Sequence, residues 1–126
     1  MIRALAISLL AFCLAACQQQ GPSSASSVYA AKNAYEAALI VAVNYNKLPR
    51  CGMPTSPPLC SDQAAVEAIR KANVAARTTL DAAEKTVRDP AAQADTKTAV
   101  AMAANDTVSA MQAILALYAA KTGATP

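Results

Sequence analysis

Between Val28 and Gly123, proline occurs at two places only, the stretch LPRCGMPTSPPLC (residues 48–60) and the pair Asp89–Pro90. Helices stop at such places, because proline lacks the backbone N–H and its ring clashes with the preceding turn. The chain is thereby cut into three segments, and each carries a helical period. In the first, Val28, Ala31, Tyr35, Ala38, Ala42 and Tyr45 recur at alternating spacings of three and four. Ser26 or Ser27 would cap it, and Pro49 would end it. In the second, Val66, Ile69, Asn73, Ala76, Leu80, Ala83 and Val87 keep a heptad-like spacing, with Ser61 or Asp62 as the cap. The third places Val100, Ala104, Val108, Met111, Ile114, Leu115 and Tyr118 on one wide face. Asp89–Pro90 and Asp95–Thr96 both offer it a start, and Gly123 suits the residue after its end.

The composition favours helix and limits the core. Alanine fills 33 positions, phenylalanine occurs once, and tryptophan and histidine are absent. Alanine has the best helix propensity but buries little area, so close helix contact must replace bulky layers. The prediction is an all-α fold: a three-helix up-down-up antiparallel bundle with a Pro-rich, disulfide-closed loop between the first two helices. A competing arrangement is an extended helical hairpin that assembles with copies of itself. The run AALIVAV (Ala37 to Val43) is apolar on every side and is expected to be the most buried helical stretch. Glu67–Lys71, Asp81–Lys85 and Glu84–Arg88 are acid-first (i, i+4) pairs. Asn73 interrupts the apolar stripe of the second segment, either as a polar contact that fixes register or as an edge residue bonded to water.

The N-terminus has a different character. MIR supplies one positive charge, and ALAISLLAFCLAA (Ala4 to Ala16) is an apolar run of thirteen residues. A spanning helix needs about 20 residues, whereas the core of a secretory signal peptide has this shorter length. A buried amphipathic helix is excluded because apolar residues occupy every face and QQQGPSSASS follows directly. LAAC (Leu14 to Cys17) resembles the lipobox of bacterial lipoproteins. That resemblance implies a diacylglycerol with fatty acyl chains such as palmitate on the Cys17 thiol, and a mature chain that begins at Cys17. It implies the outer membrane, facing the periplasm, because Gln18 stands where aspartate would signal inner-membrane retention. Cys13 would leave with the signal segment. The expected organisation is residues 1–16 as signal peptide, 17–27 as lipidated cysteine and flexible linker, and 28–123 as the Ala-rich helical domain. Such a linker reaches roughly 16 to 19 Å on average, so the domain would sit close to the bilayer.

After that processing, Cys51 and Cys60 are the remaining thiols. In an exported protein this spacing reads as a disulfide. A zinc site needs about four ligands, and the processed, acylated chain would have no histidine and no second pair of thiols to supply them. Redox exchange usually shows a C-x-x-C spacing. Arg50, Met53 and Leu59 on this stiff loop are the first candidates for contacts with a partner; the plainer reading is that the loop only turns the chain.

Several chemistries lack their residues. There is no histidine base, no Gly-rich phosphate loop and no G-x-S-x-G elbow. No metal or cofactor is expected, and the reading is of a protein that is not an enzyme. Acids and bases are interspersed at a net charge of +3, which argues against nucleic acid as a partner. YEAALIVAVNYNKLPRC, PPLC and AAVEAIRKANVAARTTLDAAEKTV also resemble small Ala-rich helical proteins of proteobacterial and prophage-like origin, which implies a helix–loop–helix with paired cysteines. The expected function is a membrane-anchored interaction or structural module of the cell envelope, partnered by the membrane, an envelope protein or its own copies. A lysis factor organised like the outer-membrane spanin subunits of phages is the alternative, and a small-ligand or lipid carrier the next.

Overall fold

The computed structural model describes residues 23–54 and 56–122. Among them lie three helices, α1 (Ser24–Asn46), α2 (Gln63–Arg88) and α3 (Ala94–Thr122), packed pairwise as an up-down-up antiparallel bundle. The expected signal segment and Cys17 lie outside the described residues.

Helix α1 starts earlier than the linker expectation allowed. Ser23, not Ser26 or Ser27, is the cap: its hydroxyl accepts from the Ser26 N–H at 3.2 Å, and its carbonyl accepts from the Ser27 N–H at 2.9 Å. Residues 24–27 therefore belong to the helix rather than to the tether. The reason is tertiary. The Ser24 hydroxyl lies 3.4 Å from that of Thr98, and Asn105 Nδ2 donates to Ser27 Oγ at 3.0 Å. Contacts with α3 thus draw a polar stretch into the first turn.

Asp62 caps α2 by accepting from the Ala65 N–H at 3.0 Å, and Lys85 and Arg88 complement its C-terminal dipole. Asp89 precedes a proline and adopts the extended backbone that such a residue favours (φ −73°, ψ 116°). Its carboxylate accepts from the Ala91 N–H at 2.8 Å, so Asp89–Pro90 makes a turn and not a helix start. Helix α3 begins at Ala94, just ahead of the Asp95–Thr96 candidate.

The core follows the predicted periods. Among the described residues fifteen apolar ones are buried and eight of them are alanine, including Ala65, Ala76, Ala83 and Ala104 at 0% exposure. They form two clusters. Tyr45, Ile69, Met111 and Leu115 centre the one at the loop end, and Val28, Leu80 and Val108 centre the other.

AALIVAV departs from expectation. Ala38 and Ala42 are buried, but Ile40, Val41 and Val43 stand 65%, 44% and 49% exposed. Two neighbours cover only one side of a helix. The close approach that alanines allow leaves room on that side for Ala38 and Ala42, and the branched residues turn outward.

Candidate functional site: the cysteine loop

The loop between α1 and α2 is built from its neck outward. Ser61 is 1% exposed, and its hydroxyl donates to the Leu48 carbonyl at 3.0 Å. The Ser61 N–H donates to the Pro49 carbonyl at 2.8 Å, and the Cys51 N–H to the Ser61 carbonyl at 3.1 Å. Arg50 and Ser61 thus form an isolated parallel bridge. Just below it, the Asp62 N–H donates to the Tyr45 hydroxyl oxygen at 3.0 Å, and the Tyr45 ring packs on Tyr118 of α3 at 6.3 Å between centroids. The neck is therefore tied to the bundle core.

Cys51 and Cys60 form a disulfide across this neck, with their Cα atoms 5.0 Å apart. Beyond it, Gly52 turns the chain at φ +86°, a conformation that strains residues with a Cβ. Ser56 closes the tip: its Oγ accepts from the Met53 N–H at 2.8 Å and donates to the Arg50 carbonyl at 3.1 Å. Arg50 is exposed, as are Met53 at 57% and Leu59 at 42%. The three candidate contacts accordingly share one exposed, cross-linked loop. Neither Arg50 nor the nearby exposed Lys47 forms an ion pair among the described residues.

Ser61 is the residue that sequence reasoning undervalued. It was a candidate cap for α2, but Asp62 takes that role and Ser61 serves the loop neck. Serine beside a cysteine carries no pattern that announces this.

A polar cluster joins α1 to α2 at the other end. Lys32 Nζ lies 3.0 Å from Glu84 Oε2, Arg88 also pairs with Glu84, and Arg88 Nε donates to the Tyr29 hydroxyl at 3.2 Å. The hydrogen bond from Lys32, aided by Arg88, holds the Glu84 carboxyl below the usual glutamate value. The same bond to Glu84 raises Lys32, and the Tyr29 hydrogen bond, followed by Glu84, raises Arg88. Of the three acid-first pairs, only Glu84–Arg88 closes among the described residues. An open depression of about 440 Å³ beside it is lined by Asp81, Glu84, Lys85, Arg88 and Asp89. This cluster clamps two helices and offers no apolar enclosure for a ligand.

Asn73 makes a defined contact: the Tyr35 hydroxyl donates to its Oδ1 at 2.7 Å. That bond links α1 to α2 in the middle of both helices. Burial raises the Tyr35 hydroxyl above its ordinary value. Among the described residues no group of three or more acids, cysteines or histidines is placed to hold a metal ion.

No known protein family, curated protein or solved structure matches this chain.

Proposed function

We propose that the protein is a lipid-anchored, periplasm-facing interaction module of the cell envelope, tethered at Cys17 and presenting the Cys51–Cys60 loop to an envelope protein. The observation that carries this reading is the loop itself. Its neck is fixed by hydrogen bonds and a disulfide, while Arg50, Met53 and Leu59 remain exposed on it. The cross-link and the tied neck stabilise the fold and at the same time hold these three side chains on one ordered loop. Rigid, pre-ordered surfaces lose less entropy on binding than mobile ones. The short N-terminal apolar run and LAAC supply the export and anchoring half of the reading.

Two measurements test the two halves. Cys17→Ala is expected to release the protein from the membrane fraction and to remove the mass of the acyl groups. An unchanged fraction and mass would end the lipoprotein reading. A photo-crosslinking residue in place of Met53 is expected to give one discrete adduct in intact envelopes, where the same residue in place of Val74 on α2 gives none. Silence at both positions, with cell lysis on overproduction, would put the spanin-like alternative in its place.

A further inference from the structure

The outward faces of the three helices differ in kind. Helix α2 turns Arg70, Lys71, Arg77, Asp81 and Lys85 to solvent. On α1 the exposed side near the loop carries Ile40, Val41 and Val43, at 65%, 44% and 49% exposure. Leu117 of α3 is 64% exposed at the same end of the bundle, next to the Tyr118 that packs on Tyr45. Met53 of the loop is also exposed, and Lys47 and Arg50 are exposed with no ion pair among the described residues. Glu36, the single acid of α1, lies one turn before Ile40 and marks the edge of this surface.

The chain that precedes α1 indicates what covers it. On the lipoprotein reading, six residues separate the acylated Cys17 from Ser24, a reach of at most ~22 Å when fully extended. Helix α1 is then the element tethered nearest the bilayer. Its 23 residues extend for ~35 Å, so a bundle standing upright would leave Ile40 and Val43 in water. A bundle tipped onto α1 brings them to the interface. An apolar helix face sinks ~5–10 Å into the headgroup boundary, and flanking cations meet lipid phosphates there.

We infer that the outward face of α1, from Ile40 to the Lys47 that follows the helix, rests on the bilayer that holds the acyl chains, with phospholipid headgroups as its ligand. This inference rests on acylation of Cys17. It gives the anchored domain an orientation: the bundle lies along the membrane, and the cysteine loop is held at the interface some distance from the anchor. A protein partner of the loop must then itself present a surface at the bilayer.

The test uses the full acylated chain in vesicles of phosphatidylethanolamine and phosphatidylglycerol. A keto-bearing residue replaces Ile40, Val43 or Val74 in turn and is coupled to a nitroxide, which adds no thiol near the disulfide. The ratio of oxygen to nickel-chelate collisions is expected to be several-fold higher at Ile40 and Val43 than at Val74. Nickel access at Ile40 and Val43 equal to that at Val74 would overturn the inference. So would dipolar broadening between labels at Ile40, which would assign the face to a second copy. The mass of the Cys17 peptide separates the two readings. An unacylated chain that stays out of the vesicles removes the anchor and this inference together, whereas an acylated chain with both labels in water removes the inference alone.

Discussion

Ser61 and Glu84 show how single side chains act at the two ends of the bundle. The Ser61 hydroxyl is buried and bonded to the Leu48 carbonyl, so Ser61→Ala leaves that carbonyl without its side-chain donor. A net loss of about 1 kcal/mol is expected, read from denaturant unfolding of the two proteins. Glu84 titrates below its usual value when folded, chiefly because Lys32 donates to it. Its contribution is therefore full above the ordinary glutamate range and is lost as pH falls through the lowered folded value. The stability difference between the native chain and Glu84→Gln should be constant near neutral pH and shrink towards zero in acid. A difference independent of pH would show that the Lys32 bond carries no charge-dependent stability. The sequence offered Glu84–Arg88 through its spacing. It did not offer Lys32, because a partner on another helix has no fixed separation in the chain.

At the scale of elements, the loop and α1 make separate demands. Four hydrogen bonds hold the neck or tie it to Tyr45 independently of the sulfurs, so the native loop should keep its shape when Cys51 and Cys60 are both replaced by serine. The loss then falls on the unfolded chain, which regains the freedom of a loop of about ten residues, worth roughly 2.7 kcal/mol in the chain-entropy account. The melting temperature should drop while the far-ultraviolet circular dichroism at low temperature stays the same. Loss of helicity in that variant would mean that the hydrogen bonds alone cannot hold the neck. In α1, the periodic positions Val28 to Tyr45 were legible, and all except the half-buried Tyr35 are buried. The outward turn of Ile40 was not. A run that is apolar on every side states no preferred face, and only the neighbours choose one.

For the whole molecule, the alanine-rich core governs what the bundle tolerates. Ala104 is fully buried, in the cluster with Leu80 and Val108. Ala104→Leu forces extra methylenes between closely packed helices and should cost about 1–3 kcal/mol. Ile40→Ser, on the outward face of α1, should change stability by no more than about 0.5 kcal/mol. Both are read from the same unfolding curves. Comparable losses at the two sites would contradict a core built on small residues. α3 also meets the length and hydropathy of a membrane span over Ala94–Ala119. Its pattern is that of a bundle helix, since Ala101, Ala104, Val108, Met111 and Leu115 form a single inward stripe.

The sequence by itself determined the number of helices, their inward stripes and the disulfide between the first two. Those are local matters: proline forbids helix, alternating spacings of three and four put residues on one face, and two cysteines on a short loop can reach each other. Tertiary structure decided the rest. Contacts with Thr98 and Asn105 moved the start of α1 back to Ser24, the Tyr35 hydroxyl selected the role of Asn73, and two packed neighbours left Ile40, Val41 and Val43 outside. Each of these depends on a group from a distant part of the chain, and its position becomes defined only when the helices meet.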